Sequence, residues 1–213
     1  MLKLSEIFCS IQGESTYSGF PCIFIRLAGC NLRCSYCDTK YAYTPARKMS
    51  ELDILAEIRQ FEPLKLVEIT GGEPLLQDKV YSLLVKLHEQ KYKILLETNG
   101  SLDLAEVPEY VTKIVDIKCP GSGHSDSFLI GNLKYLNKSG DEIKFVLTDK
   151  IDYEWAKVRI AEYALTGYKI IFSPAFSILE ADELASWILQ DKLKIRMQLQ
   201  LHKYIWDPAK RGV

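Results

Sequence analysis

The sequence predicts an α/β fold built on a mostly parallel sheet that closes only part of the way into a barrel. Apolar runs rich in branched residues alternate along the chain with segments of helical period, a pattern typical of strand–helix–strand units. The runs give about seven strands but only about four helices, whereas a closed barrel of this type pairs eight strands with eight helices. We therefore expect an open, incomplete β/α barrel.

The strands are predicted from short apolar runs bounded by polar or turn-forming residues. They cover 21–29, 65–70, 92–100, the first part of 112–123, 141–149, 168–174 and 195–201. The helices are predicted over 49–61, 79–90, 152–165 and 180–191. In the first helix Ser50 can cap the N-terminus, and Leu52, Leu55 and Ile58 recur at helical spacing.

Composition narrows the class of protein. The chain has 213 residues, 47% of them hydrophobic, enough for a sizeable core in a single domain spanning 1–213. A formal net charge of -1 gives no global field to attract nucleic acid or an anionic membrane. No apolar run has the length of a bilayer span or of a secretory signal. We therefore expect a cytoplasmic protein that binds neither nucleic acid nor membranes.

Half of the six cysteines lie within eight residues, at Cys30, Cys34 and Cys37. This favours a metal site in a reducing compartment over a disulfide framework. Three thiolates could hold three irons of a [4Fe–4S] cluster and leave the fourth iron open to a small molecule. The spacing C-x3-C-x2-C favours a cluster over zinc, which usually takes C-x2-C pairs.

Two alternatives stay open for these cysteines. They could be ordinary thiols, or a zinc site completed by a distant histidine, for which the candidates are His88, His124 and His202. The other cysteines are isolated and are predicted to fill the core: Cys9, Cys22 and Cys119.

Several polar or glycine-rich segments follow predicted strands. They are the cysteine loop, Gly71-Gly72, Thr98-Asn99 and the loop 119–123. The carboxyl ends of parallel strands meet at one edge of the sheet and carry the site in such folds. We therefore expect these segments to share one site.

The cysteine motif, with Tyr36 before its last cysteine, resembles the signature of the radical S-adenosylmethionine (SAM) superfamily. The stretches "TGGEP" (70–74) and "ETNG" (97–100) are also similar to motifs of that family. The resemblance implies one [4Fe–4S] cluster on the three cysteines, SAM on its open iron, and an electron donor such as flavodoxin or ferredoxin. The SAM-binding residues it implies are Tyr36, Cys37, Asp38, Gly71, Gly72, Glu73, Thr98, Asn99, Lys118, Pro120 and Ser122.

A narrower resemblance covers most of the chain. The stretches "SIQGES" (10–15), "CDT" (37–39), "DIKCPGSG" (116–123) and "QLQLHKYIWDPAKRGV" (198–213) resemble the 7-carboxy-7-deazaguanine synthase family. The resemblance implies a lyase that converts 6-carboxy-5,6,7,8-tetrahydropterin to 7-carboxy-7-deazaguanine and ammonia, in the biosynthesis of queuosine and other 7-deazapurines. It further implies that SAM is regenerated, that Mg2+ assists and that the protein is a homodimer. One departure is Ser15, where the family commonly has glycine.

This second resemblance also assigns residues. Thr39 would place its hydroxyl on magnesium, and the implied substrate contacts are Ile11, Gln12, Gly13, Glu14, Arg26, Thr70 and His202. Arg26 offers a bidentate cation for the pterin carboxylate, although a salt bridge to a protein carboxylate would equally explain an arginine in so apolar a strand. Gln12 and Glu14 can read the amide and amine edges of a pterin. The N-terminal segment and the C-terminal tail would complete the substrate site.

Two other functions fit parts of the sequence. A radical SAM activase would use the same cofactor to install a glycyl radical on a partner protein, but Gln12, Glu14 and Arg26 suit a small polar anion better than a polypeptide. A non-catalytic iron–sulfur or zinc module would be favoured by a complete set of four cysteines, whereas the loop has three.

Overall fold

A computed structural model describes residues 1–213 and arranges the chain around one nine-stranded sheet. The strands are β1 (Leu2–Ile11), β2 (Pro21–Leu27), β3 (Arg47–Met49), β4 (Leu66–Gly71), β5 (Lys93–Thr98), β6 (Thr112–Asp116), β7 (Glu142–Leu147), β8 (Lys169–Pro174) and β9 (Arg196–Met197). The helices are α1 (Glu51–Ile58), α2 (Lys79–Glu89), α3 (Lys150–Glu162), α4 (Ala181–Asp191) and α5 (His202–Ile205).

The strand order is β3-β1-β2-β4-β5-β6-β7-β8-β9. Every pair from β2·β4 to β8·β9 is parallel, and β1 runs antiparallel to both β2 and β3. The two end strands, β3 and β9, do not pair with each other. The prediction of an open, mostly parallel α/β sheet is therefore confirmed.

The first α-helix shows how the local sequence sets an element and where the prediction was wrong. Ser50 and Asp53 form a reciprocal capping box, as a serine three residues before an acidic side chain allows. Ile54, Leu55 and Ile58 face the core. Leu52, which we expected on that face, is 68% exposed, because at about 100° per residue it lies roughly 110° from the mean direction of those three positions, beyond the edge of the buried stripe.

Alternation along the strands separates the core from the cavity. In β4, Val67 and Ile69 belong to the apolar core beneath the helices, whereas Glu68 and Thr70 line the cavity on the other face. The same alternation in β2 sends Arg26 to the cavity. A sheet of this kind therefore presents its charged strand residues to one common space. None of the five helices has the length and apolar character that crossing a bilayer requires.

Candidate active site

A cavity of about 720 Å3 opens at the carboxyl ends of the central strands. It is lined by the N-terminal loop, the cysteine loop, strands β2 and β4 to β7, and the C-terminal tail. The structure brings together there all but three of the predicted site residues: Ile11, Gln12, Gly13, Glu14, Arg26, Cys30, Cys34, Tyr36, Cys37, Asp38, Thr39, Thr70, Gly71, Gly72, Thr98, Asn99, Lys118 and His202.

Glu73, Pro120 and Ser122 do not line the cavity, and two of them support its walls from behind. The Glu73 carboxylate is fully buried and accepts hydrogen bonds from the backbone N–H of Leu75 and Asn99 and from the Thr98 hydroxyl. The Ser122 hydroxyl donates to the Cys119 carbonyl at 2.6 Å. Glu73 therefore fixes the ends of β4 and β5 relative to each other.

The cysteine loop is held in place by its neighbours rather than by regular structure. The backbone N–H of Arg33 donates to Nε2 of His124 at 2.9 Å, and the Ser35 hydroxyl donates to the Gly121 carbonyl at 2.6 Å. At the start of the loop, the N–H of Gly29 donates to the Ala42 carbonyl. The first two bonds join the loop after β2 to the loop after β6, and the third ties the two ends of the cysteine loop together.

The segment after β4 packs directly on the cysteine loop, and only glycine fits there. A Cβ added to Gly72 would lie 2.1 Å from the Gly29 carbonyl oxygen and 2.7 Å from Cβ of Cys30. The Glu73 N–H donates to the same Gly29 carbonyl at 2.8 Å. The absence of a side chain at Gly72 therefore brings the glycine segment and the first cysteine together.

The three loop cysteines fit a cluster better than a single metal ion. Cys30, Cys34 and Cys37 are free, partly buried thiols on one wall of the cavity. Burial raises the pKa of Cys30 and Cys34, and a metal would bind them as thiolates. No three Cys, His, Asp or Glu side chains converge as one ion requires. A cluster needs one thiolate on each of three irons. Its three sulfur ligands are therefore spaced around the cluster and do not converge on one ion.

The histidines named as possible zinc ligands have other contacts. His88 is exposed on α2 and stacks on Tyr110, with ring centroids 3.8 Å apart. His124 accepts the Arg33 hydrogen bond described above. His202 lies against Gly13, where an added Cβ would come within 2.2 Å of its Nδ1.

The salt bridge considered for Arg26 is present, and it occupies only one of the donors of the guanidinium. Its Nε lies 2.9 Å from a carboxylate oxygen of Glu6, and the Tyr41 hydroxyl donates to the same oxygen at 2.8 Å. The guanidinium also lies over the Phe8 ring, 5.8 Å from its centroid. A protein carboxylate therefore orients Arg26 through Nε, while its two Nη groups make no protein hydrogen bond and line the cavity.

The N-terminal loop and the C-terminal segment clasp each other at the cavity rim. The Leu201 N–H donates to the Gly13 carbonyl at 3.1 Å. Ser15 takes the left-handed conformation with φ of 66°, which explains why glycine suits this position. The Gln198 side chain offsets this by accepting from the Ser15 N–H at 2.6 Å and donating to its carbonyl at 2.9 Å.

The structure of the C-terminal segment also differs from the predicted last strand. We expected a strand over 195–201 with His202 at its end, but β9 covers only Arg196–Met197 and His202 begins the short helix α5. The side chain of Gln198 turns to the Ser15 backbone instead. The chain thus leaves the sheet in order to cover the N-terminal loop.

Sequence reasoning missed a buried charged cluster in the cavity floor. Lys144 on β7 lies 2.5 Å from a carboxylate oxygen of Glu14 and 2.5 Å from one of Glu97, and 3.8 Å from Asp116. Burial alone would raise the pKa of Glu97, but Lys144 and a hydrogen bond from Thr70 lower it to about 2. Glu97 is therefore a fixed negative charge.

One other carboxyl group of the cavity floor, that of Glu68, has a raised pKa instead of a lowered one. Burial, together with the charges of Glu97 and Glu14, raises the pKa of Glu68 to about 8. A signal for the members of this cluster that lie on strands was present in the sequence. "KLVEIT", "ILLET", "IVDIK" and "EIKFVL" each place a charged residue inside an apolar strand, as "CIFIRL" does for Arg26.

The remaining predicted residues line the mouth of the cavity. Thr39 Oγ1 lies 3.7 Å from Sγ of Cys37, so the predicted magnesium residue is next to the last cysteine. Asp38 pairs with Lys203 of α5 at 2.9 Å. The cysteine loop is therefore in contact with the C-terminal segment.

Comparison with known proteins first identifies the superfamily to which the chain belongs. The sequence profile of the radical SAM superfamily matches residues 24–125, which include the three loop cysteines and both glycine-bearing strand ends. The crystal structure of QueE from Escherichia coli superposes with a TM-score of 0.73 at 27% identity, over 92% of this chain and 93% of that one. The predicted radical SAM fold is thus confirmed.

The particular family follows from full-length relatives. The 7-carboxy-7-deazaguanine synthase of Koribacter versatilis is 46% identical over 100% of both chains. That of Chlorobaculum tepidum is 46% identical over 100% of this chain and 97% of its own. The chain belongs to the 7-carboxy-7-deazaguanine synthase family, as its motifs predicted. Membership of the radical SAM superfamily implies a [4Fe–4S] cluster and SAM as cofactors.

Proposed function

We propose that the protein is a radical SAM carbon–nitrogen lyase that converts 6-carboxy-5,6,7,8-tetrahydropterin to 7-carboxy-7-deazaguanine and ammonia. The observation that carries the proposal is the composition of the cavity described above. Its lining includes the three thiols, the glycine segment at the end of β4, and Arg26, Gln12 and Glu14. Cofactor residues and polar residues suited to a pterin thus meet in one space.

The cofactor residues have separate tasks. Cys30, Cys34 and Cys37 would bind three irons of the cluster, and Gly71, Gly72, Thr98 and Asn99 would contact SAM beside them. When bound to these residues, SAM and the reduced cluster would supply the chemistry for abstracting a hydrogen atom from the substrate. Lys118, paired with Asp116 at 2.7 Å, places a positive charge on the same side.

The substrate residues bind the two ends of a carboxypterin. The free Nη groups of Arg26 match a carboxylate, since a guanidinium offers parallel donors to its two oxygens. Glu14 and Glu97 offer carboxylate oxygens to the N–H groups of the pterin ring. The walls hold these groups away from bulk water, which strengthens each contact.

Several further features belong to the same proposal. Mg2+ would bind near Thr39 and the substrate carboxylate, because magnesium keeps most of its waters and takes few protein ligands. The protein would work in the cytoplasm as a homodimer, in one domain, with flavodoxin or ferredoxin as the electron donor. Its product would enter queuosine or another 7-deazapurine pathway.

One anaerobic assay tests the proposal. The protein is reconstituted with iron and sulfide, reduced, and given SAM, Mg2+ and 6-carboxytetrahydropterin. We expect 7-carboxy-7-deazaguanine by mass spectrometry, with SAM largely unconsumed. Formation of 5′-deoxyadenosine without this product would keep the radical chemistry and reject the substrate, and activation of a partner protein would then be tested.

The cluster assignment has its own variant and matched control. Cys34→Ala should lose bound iron and all activity, because it removes one of three thiolate ligands. Cys9→Ala, a partly buried cysteine of β1 outside the cavity, should keep its iron. Iron and sulfide content per chain, with the visible absorption of the cluster, measures both. An active Cys34→Ala enzyme with a full cluster would overturn the assignment.

A further inference from the structure

Glu68 is a buried carboxyl group of the cavity floor to which neither the sequence motifs nor the proposed chemistry gives a role. It lies in the middle of β4, between its parallel neighbours β2 and β5, and is 5% exposed. One carboxyl oxygen accepts a hydrogen bond from Nε2 of Gln12, and the residue lines the cavity. Burying a polar group at this depth costs free energy unless it is hydrogen-bonded, and burying a charge costs more unless it is paired.

The charges around Glu68 leave it without a cation of its own. Lys144 on β7 makes its two short ion pairs with Glu14 of the N-terminal loop and Glu97 of β5. From β2, the buried Cys22 thiol also faces Glu68. Glu68 itself makes no ion pair with any of these groups. A third negative charge beside Glu14 and Glu97 would be buried and unpaired, so the neutral acid is the favoured form.

The neutral form has a property that the ion lacks. A carboxylic acid keeps an acceptor oxygen for Gln12 and gains an O–H that can donate. Gln12 in turn accepts a hydrogen bond through Oε1 from the Glu14 N–H at 3.1 Å. The amide of Gln12 is thereby held from both ends, by Glu68 and by the backbone of the loop. Glu68 thus fixes the side chain and the loop that would contact substrate.

We propose that Glu68 is a positioning residue for substrate binding, which holds Gln12 as a neutral acid and keeps a third charge out of the cavity floor. This inference rests on the proposed function, because it takes the cavity as the site of a carboxypterin. The raised pKa of Glu68, about 8, agrees with the geometry. Ionisation above that pH would add repulsion to Glu14 and Glu97 and would oppose binding of the anionic substrate.

The test compares wild type with Glu68→Gln, which keeps the shape and the acceptor but cannot ionise. The reconstituted protein with SAM and an oxidised cluster binds 6-carboxytetrahydropterin without turnover, and calorimetry gives its Kd at pH 7 and pH 9. At each pH, the Kd of wild type is divided by the Kd of Glu68→Gln. Titration of the ligand itself affects both proteins equally and therefore cancels from this ratio. A group with a pKa of about 8 that must be protonated for binding raises this ratio roughly tenfold between the two pH values.

Two more variants separate positioning from simple folding. Glu68→Leu removes the acceptor for Gln12 and should weaken binding at pH 7 about tenfold or more, while Glu68→Gln stays within about twofold of wild type. Glu89→Gln on the exposed face of α2 is the matched control, and its ratio to wild type should not change with pH. If Glu68→Leu does not fold, the pH comparison still decides.

The outcomes are distinct. A Kd ratio that stays constant from pH 7 to pH 9 would refute the role of Glu68 and leave the proposed function intact. Wild-type protein that binds no carboxypterin at either pH would refute the proposed function, and the inference with it. A tenfold rise confined to the wild-type/Glu68→Gln ratio supports both.

Discussion

At the scale of single residues, Arg26 shows how a strand can hold a cation in an apolar setting and still leave it available. Glu6 takes only the Nε donor, and the Phe8 ring covers one face of the guanidinium. The partner could not be predicted, because Glu6 faces Arg26 only through the register of β1 on β2, which is offset by an irregularity between Leu4 and Glu6. The arginine itself was predictable as the one charge in an apolar strand.

Arg26→Ala should therefore weaken substrate binding and spare the cluster. We expect KM to rise about 10- to 100-fold, as expected when a charge-assisted pair is lost, with iron content unchanged. Arg47→Ala is the control, because its pair with Glu57 is on the surface and outside the cavity. Steady-state kinetics on both variants measures the difference. An unchanged KM in Arg26→Ala would reject the carboxylate contact.

At the scale of elements, the strands and helices were predictable where the hydrophobic pattern extends over several residues and one face is buried. The central parallel strands β4 to β8 and helices α1 to α4 lie where the apolar runs placed them. The short β3 and the amphipathic β1 were not predicted, because one has three residues and the other mixes apolar and polar positions irregularly. These two segments are strands because they pair with neighbouring strands, and the local sequence pattern does not predict that pairing.

The contact between the glycine segment and the cysteine loop gives a prediction at this scale. Gly72→Ala should lower cluster loading and SAM binding, because its Cβ would lie 2.1 Å from the Gly29 carbonyl oxygen and push the cysteine loop away. Gly131→Ala is the matched control, since a Cβ there meets nothing within 4 Å. Iron content and equilibrium binding of SAM are the measurements. Equal loading in both variants would show that the loop tolerates the displacement.

At the scale of the whole molecule, the two ends of the chain complete the cavity that the sheet begins. The N-terminal loop carries Gln12 and Glu14, and the C-terminal segment clasps it through Gln198. The sequence indicated that both ends of the chain complete the site, but the contacts themselves join residues more than 180 positions apart. Only the fold as a whole brings them together.

The C-terminal tail, residues 208–213, gives the prediction that belongs to this scale. All six residues line the mouth of the cavity, where the Arg211 guanidinium lies 4.1 Å from the centroid of the Tyr41 ring. None of them belongs to the apolar core. Deleting 208–213 should therefore leave the thermal unfolding temperature nearly unchanged while opening the site to water.

Water that enters a radical site diverts reactive intermediates into side reactions. We expect the truncated enzyme to release more 5′-deoxyadenosine per molecule of product than wild type, and Arg211→Ala to show part of this effect because it removes the contact with Tyr41. Lys194→Ala, whose side chain is exposed and outside the cavity lining, is the control. Both products can be quantified by mass spectrometry from the same reaction. If the ratio of 5′-deoxyadenosine to product is the same in all four proteins, the tail does not close the site and the chemistry is protected by the sheet and its loops alone.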